Sequence, residues 1–437
     1  MAILDLLKKT LPLVALLGTT ATFGVGCASN VGDEPEAVVE DDETGATTDP
    51  VSEVSHTKVK RQSIGNCWLY ATATWMEALH KSATGEELNV SESYLTYWDW
   101  FDKITNGGVT DGKIATGGTY TTAAELVNRY GWMREADFLP GEAELDMSYA
   151  QKQAEAAINA ALSTGALKDR TARQNRALVR AELDKAFGVS ADVTAQLDTV
   201  FGKGVTKTID RSYKTKRIPA TAKVARARDM AVTLKNPTTG KMEKKTLQDA
   251  IGARGSYWGE RTGTYAWNEV DYPTTASARR AFMKRVQRAL HDGQPVIISW
   301  FVDFNALTSD AKFSKDALDK LGPGRQGGHM TVLHDYEVTN VPGFGTLKAG
   351  VKETRPEALE AALSDQSKIS FLRIKNSWGA YRPDRWAEAV IPGYHDLMSP
   401  YLDGPVKKCA ETASGGTDTT KCSSHTPLWD VVLPPGY

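Results

Sequence analysis

Apolar residues recur at helical spacing directly after a Gly-Asn pair early in the chain. The recurring positions, three or four residues apart, are Leu69, Thr72, Met76 and Leu79. Such spacing is typical of one face of an α-helix. The pattern predicts a helix that opens at Cys67, with Asn66 as its N-cap.

Three further stretches carry a helical pattern, and a fourth long stretch does not. The helical stretches are Tyr120–Tyr130, residues 148–200, and Ser277–His291, where Gly293 ends the pattern. Residues 203–246 are basic and rich in Thr, and their periodicity is weak.

Strand patterns dominate the second half of the chain. The predicted strands are Val296–Val302, His329–Tyr336, Ser370–Ile374 and, more weakly, Leu428–Leu433. Helices early in a chain and strands late indicate the α+β class, with the two kinds of structure packed against each other.

The N-terminus has the pattern of a targeting segment. Lys8 and Lys9 precede an apolar run from Leu11 to Val25, which is too short and interrupted for an ordinary membrane span. The run ends in small residues directly before Cys27, as in bacterial lipoprotein signals. We therefore expect export and lipidation of Cys27, with an ordinary signal peptide cleaved nearby as the alternative.

The expected division of the chain follows from this segment. Residues 1–27 form the lipoprotein-type signal peptide, and the acidic, unpatterned residues 28–56 form a flexible linker. Residues 57–437 form one folded domain. Because Ala28 is not the Asp that retains many lipoproteins at the inner membrane, the expected location is the cell envelope, at the outer membrane.

The remaining cysteines fall into two groups. Cys409 and Cys422 lie close together in sequence, and an exported chain can oxidise them to a disulfide, with metal binding as the alternative. Cys67 is then left over, which in an exported protein points to a reactive thiol. The positive end of a helix dipole would favour its thiolate form. The alternative is a small, inert, buried side chain.

Charge and composition exclude several other functions. The net charge of −2 gives no global attraction to nucleic acid, and the basic run at 203–246 lacks interleaved aromatic residues. No metal constellation or phosphate loop is visible, so neither a metal nor a cofactor is expected. The membrane is expected as a partner only through the lipid anchor, and the oligomeric state stays open.

Three short motifs occur in the order Cys, His, Asn. The segment Gln62–Ala71 resembles the nucleophile signature of papain-like cysteine peptidases, Gly327–Tyr336 resembles their histidine strand, and Lys375–Gly379 resembles their asparagine motif. The resemblance implies a papain-like fold, in which a helical lobe faces a β-rich lobe. It also implies hydrolysis of peptide or protein substrates through an acyl-enzyme intermediate.

The resemblance assigns a role to each matching residue. Cys67 is the nucleophile, His329 its base, and Asn376 the acceptor that orients the imidazole, while Trp378 shields that hydrogen bond. Gln62 would donate to the oxyanion together with the Cys67 backbone N–H. Gly117 and Gly118 would let the substrate backbone approach closely.

One spacing departs from the family pattern. The family's Gln lies six positions before the Cys, whereas Gln62 lies five positions before Cys67. A gapless alignment places Arg61 at the oxyanion position. The loop is therefore shorter by one residue, or Arg61 takes the role, or the oxyanion hole is impaired.

Other segments resemble the bleomycin hydrolase branch of that superfamily. They are Ser91–Asp99, the Gly117–Gly131 region and Asp292–Val296. His329 follows Cys67 by 262 residues, more than the usual spacing of roughly 130–150. The branch has a large helical insertion, which is expected here at 141–256.

The other histidines match no motif. An odd offset from His329 puts His334 on the opposite face of the strand, so it is interpreted as structural. The remaining five are expected at the surface: His56, His80, His291, His395 and His425. Two rival functions stay open, a catalytically impaired papain-like binding domain and a papain-fold acyltransferase or amidase.

Overall fold

The computed structural model describes residue 54 and residues 56–145, 147–257, 259–380, 389–412 and 416–437. The described helices are α1 Cys67–Thr84, α2 Glu92–Thr105, α3 Tyr120–Tyr130, α4 Glu135–Phe138, α5 Pro140–Leu145, α6 Tyr149–Ser163, α7 Arg170–Gln174, α8 Arg176–Phe187, α9 Ala191–Phe201, α10 Ile209–Ser212, α11 Leu247–Ile251, α12 Ala276–His291, α13 Lys315–Leu321, α14 Pro356–Ala362 and α15 Ser399–Asp403. Short 3₁₀ turns lie at Ala227–Asp229 and Phe304–Ala306.

The described strands follow the same chain order. They are β1 Val109–Thr110, β2 Lys113–Ile114, β3 Ala231–Lys235, β4 Met242–Thr246, β5 Ala253–Arg254, β6 Arg261–Thr262, β7 Asn268–Asp271, β8 Val296–Asp303, β9 Lys312–Phe313, β10 Gln326–Val341, β11 Gly345–Leu347, β12 Lys368–Lys375, β13 Tyr394–Met398, β14 Val406–Glu411, β15 Thr417–His425 and β16 Leu428–Leu433.

One large sheet carries most of the second half of the chain. Its order is β7-β16-β8-β10-β12-β13-β9, with β11 also paired to β10. The pairs are antiparallel except for β13 with β9. The α+β class expected from the sequence is confirmed, because helices dominate the first half of the chain and this sheet dominates the second.

Two hydrophobic cores correspond to the two lobes. One is built on α1, α2 and α3 and includes Trp75 and Trp98. The other lies on the sheet and includes Trp300 and Tyr336. Ile297, Met330 and Val332 belong to the helical core although they lie on β8 and β10, so α1 packs directly on the central strands.

The segment between α5 and α11 shares the core of the nucleophile helix. Its side chains Leu183, Phe187 and Val232 are buried in the same cluster as α1. Phe187 lies edge-on to Tyr97 of α2, with ring centroids 5.7 Å apart. The segment also contains the hairpin β3–β4, so it is not purely helical. Its apolar residues support the helix that carries Cys67.

Asn66 occupies the N-cap position of α1, but its side chain does not cap the helix. Its Nδ2 donates to Thr96 Oγ1 at 2.9 Å and to Gln151 Oε1 at 2.7 Å. The predicted side-chain cap is therefore wrong, because the two acceptors fix the amide through Nδ2 and Oδ1 accepts no N–H of the helix. No helix among the described residues has the length and apolar character needed to cross a bilayer.

Candidate active site

Cys67 is the first residue of α1 and lies where the two lobes meet. Its side chain is fully buried. The backbone N–H of Met330 on β10 donates to Cys67 Sγ across 3.3 Å. The structure records Cys67 as disulfide-bonded. Nucleophilic chemistry at this sulfur therefore requires the reduced form.

Sheet register brings His329 next to Asn376. Val332 of β10 is opposite Lys375, the last residue of β12. Because the strands are antiparallel, the residues that follow Lys375 run alongside the residues that precede Val332, and this places Asn376 near His329. His329 Nε2 lies 2.7 Å from Asn376 Oδ1. Both side chains are buried, and buried hydrogen bonds of this kind are stronger than exposed ones.

A backbone contact fixes the proton positions of this pair. The Ser377 N–H can only donate, and it lies 2.8 Å from Asn376 Oδ1. The atom facing His329 is therefore the amide oxygen, and His329 Nε2 must carry the hydrogen. Nδ1 is then the ring nitrogen that can exchange a proton with Cys67.

Two indoles enclose the His329 ring. Trp378 stacks on it with centroids 4.8 Å apart and planes 19° apart. Trp300, its register partner on β8, meets it at 5.7 Å and 66°. The His329 side chain is fully buried as a result. Water is thereby kept from the hydrogen bond to Asn376.

Gln62 is hydrogen-bonded to Ser377 in the segment Asn376–Gly379, which we call the asparagine loop. Its backbone N donates to the Ser377 carbonyl at 2.9 Å, and Ser377 Oγ donates to Gln62 Oε1 at 2.6 Å. Its Nε2 donates to the Ile64 carbonyl at 2.8 Å. An amide nitrogen carries two hydrogens, so one remains for a second acceptor.

Arg61 is placed differently from its neighbour. Its backbone bridges to Met147 and Trp378, and its carbonyl accepts from Ser148 N at 3.2 Å. Its aliphatic carbons lie along Gly379. Gln62 therefore has a side-chain bond to the asparagine loop, and the aliphatic part of Arg61 packs beside the same loop.

The Gly117-Gly118 segment is fixed beside Trp68, the residue after the nucleophile. Trp68 Nε1 donates to the Thr116 carbonyl at 2.8 Å, and Lys103 Nζ donates to the Gly117 carbonyl at 2.8 Å. A Cβ at Gly118 would lie 2.5 Å from Cε2 of Trp68. Close packing against this indole is thus one reason for glycine at this position.

A buried ion network anchors the segment that leads to Gln62. Lys60 Nζ contacts Glu77 of α1 at 2.7 Å and Glu92 of α2 at 2.8 Å. Burial alone would lower the pKa of Lys60, but these two carboxylates outweigh it and hold the pKa above its ordinary value. Burial raises the pKa of Glu92 to about 7 although Lys60 opposes the shift. The chain segment that precedes Gln62 and Cys67 is therefore fixed by ion pairs to both α1 and α2.

The histidines show one clear error of the sequence interpretation. His395 was expected at the surface, but its side chain is buried on β13 beside Asn376. Pairing of Ile374 with His395 across β12 and β13 puts it there. His334 is buried against His56 and Tyr394, with ring centroids 4.9 Å apart in both contacts.

A disulfide joins Cys409 and Cys422 across the hairpin β14–β15. The hairpin is attached to the strand that carries His329, because Gln326 Oε1 accepts from Cys409 N at 2.8 Å and its Nε2 donates to the Lys407 carbonyl at 2.7 Å. The predicted lipidation site Cys27 lies outside the described residues.

Comparison with known proteins gives distant structural matches. No protein-family model matches the chain, and no curated protein matches it. PepW from Lactobacillus rhamnosis aligns over 88% of this chain and 81% of its own, with 13% identity and a TM-score of 0.41. Xylellain, a cysteine protease from Xylella fastidiosa, aligns over 93% and 95%, with 12% identity and a TM-score of 0.32.

A third match is the proform of the cysteine protease Amb a 11, a ragweed pollen allergen. It aligns over 90% of this chain and 68% of its own, with 14% identity and a TM-score of 0.32.

Proposed function

We propose that the chain is a papain-like cysteine peptidase that hydrolyses peptide bonds. The observation that carries the proposal is the convergence of three buried side chains from separate motifs. Cys67 begins α1, while His329 lies on β10 next to Met330, whose N–H reaches Cys67 Sγ. Asn376 holds the far nitrogen of the His329 ring.

The proposed reaction begins with the formation of an acyl-enzyme at Cys67. In the reduced enzyme, His329 Nδ1 takes the Cys67 proton, and the thiolate attacks the peptide carbonyl carbon. The resulting oxyanion accepts hydrogen bonds from the Cys67 N–H and the Gln62 amide. His329 then returns the proton to the leaving amine as the C–N bond breaks.

Water completes the cycle. His329 takes a proton from the water that attacks the thioester carbonyl, and the C–S bond breaks to release the acid and the thiolate. During both steps Asn376 Oδ1 accepts from His329 Nε2 and stabilises the imidazolium form. The same groups could also transfer the acyl group to a nucleophile other than water. The test below therefore measures hydrolysis itself.

The test is turnover of fluorescein-labelled casein together with labelling by an epoxysuccinyl probe, both in the presence of a thiol reductant. We expect reduced protein to cleave casein and to take up one probe molecule. Cys67→Ala should abolish both, with an unchanged circular dichroism spectrum. Casein cleavage that survives Cys67→Ala would refute the mechanism, and labelling without any turnover would favour the impaired binding domain.

The membership in the bleomycin hydrolase branch stays a prediction from the sequence segments. So do export and lipid anchoring at Cys27, which we propose on the basis of the apolar run and the small residues before the cysteine. Intact-mass analysis of the mature protein should show an acylated Cys27. A free amine at residue 28 or later contradicts lipidation.

A further inference from the structure

The side-chain amide of Asn376 is held from both ends. Its Oδ1 accepts from His329 Nε2 at 2.7 Å and from the Ser377 N–H at 2.8 Å. At the other end, its Nδ2 lies 3.3 Å from His395 Nδ1. Because Ser377 fixes which end is oxygen, Nδ2 is the donor, and His395 Nδ1 must be the acceptor.

The His395 side chain is buried and packs against residues of the site. It is buried on β13, with ring contacts to Trp378 at 5.4 Å and to Phe313 at 5.9 Å. The backbone N of Asn376 also donates to the carbonyl of Gly393 at 3.1 Å. The start of β13 thus supports Asn376 through both its backbone and its side chain.

We propose that His395 is a positioning residue that keeps the Asn376 amide oxygen directed at His329. The inference rests on the proposed peptidase function. A rotated amide would place Nδ2–H against the Nε2–H of His329, so that two donors face each other. It would leave the imidazolium without its acceptor and would weaken the thiolate–imidazolium pair.

Substitutions at position 395 separate this role from a packing role. In His395→Leu the side chain remains apolar and buried, but the acceptor is lost. In His395→Asn the side-chain oxygen can occupy the place of Nδ1, so the acceptor is kept although the ring is lost. A packing role predicts that Leu is the better replacement, whereas the positioning role predicts that Asn is.

We expect His395→Leu to lower kcat for a fluorogenic peptide by about ten-fold, the size of one net hydrogen bond, with little change in KM. His395→Asn should recover most of this loss. The pH at which iodoacetamide alkylates Cys67 at half its maximal rate should rise in His395→Leu and return in His395→Asn. Equal kcat and equal alkylation profiles in wild type and His395→Leu would overturn the proposal.

His291→Leu serves as the matched control, because it removes a partly buried histidine that bonds Tyr336 at the end of α12. It should lower the melting temperature without moving the alkylation profile. If wild-type protein has no turnover at all, the peptidase proposal fails, while the alkylation profiles still decide the role of His395. If His395→Leu matches or exceeds His395→Asn in kcat, a packing role replaces the positioning role.

Discussion

Trp378 lies almost parallel to the imidazole of His329, with ring centroids 4.8 Å apart. The indole therefore covers one face of the ring whose Nε2 bonds Asn376. Water that reached this hydrogen bond would compete for both partners, and the bond is worth more in a dry environment.

Trp378→Leu should lower kcat by about ten-fold and leave KM nearly unchanged, because one protected hydrogen bond is weakened. Steady-state kinetics on a fluorogenic peptide measure the effect. Trp429→Leu is the control, since this indole contacts Phe301 and His425 and not His329. A Trp378→Leu enzyme with wild-type kcat would show that the stacking does not protect the site.

Substitution of Gln62 decides which residue completes the oxyanion hole. Gln62→Glu keeps the oxygen that accepts from Ser377 Oγ but loses the amide donor. We expect it to lower kcat by about 100- to 1000-fold with a small effect on KM. Arg61→Ala should retain kcat close to that of the wild type. The opposite ranking would mean that Arg61 is the donor and that the gapless alignment is right.

Gly118→Ala should destabilise the protein, because the new Cβ would lie 2.5 Å from the indole of Trp68. We expect a loss of about 1–3 kcal/mol in the free energy of unfolding, as is usual for overpacking. Urea denaturation measures it. Gly204→Ala is the control, where the nearest atom to the new Cβ is 3.9 Å away. Equal losses in the two variants would contradict the packing explanation.

Glu142 should make stability depend on pH. Burial raises its pKa from 4.5 to about 7, although the Ser93 hydroxyl and the Ala150 N–H oppose the shift. The folded protein therefore binds this proton more tightly than the unfolded chain does. The resulting stabilisation is complete below pH 4.5 and is lost as the pH rises through about 7.

Urea denaturation at pH 5 and pH 8 tests this dependence. The free energy of unfolding should fall more between the two pH values in the wild type than in Glu142→Gln, which cannot ionise. Glu144→Gln is the control, because Glu144 is exposed two residues away and its removal should leave the wild-type difference in place. Parallel changes in wild type and Glu142→Gln would refute the assignment.

The most accurate predictions from the sequence concern elements whose bounds follow from the local order of apolar and polar residues. The helix Tyr120–Tyr130 has the expected bounds, since it has a clear apolar period and a flanking break, and the more weakly predicted strand Leu428–Leu433 also has the expected bounds. The strand at His329 is longer than expected and runs from Gln326 to Val341. The added residues Gln326–Gly328 have no apolar period, and pairing with β8, such as Gln326 with Asp303, extends the strand.

Other features depend on partners that are distant in sequence. The strand Met242–Thr246 has no apolar period and forms by pairing with β3, whose Val232 and Leu234 are buried. His395 matches no motif, and only the pairing of β12 with β13 brings it to Asn376. The short Gln62 spacing was visible in the sequence, but its bond to Ser377 required the folded loop.

The contact between the Met330 N–H and Cys67 Sγ links the position of the lobes to the nucleophile. Met330 follows His329 on β10, whereas Cys67 lies on α1, so any movement that separates strand from helix removes a donor and the base together. In the proposed mechanism, separating α1 from β10 would therefore abolish catalysis even though Cys67, His329 and Asn376 all remain in the chain. The packing between helix and strand is thus as much a condition of activity as the side chains themselves.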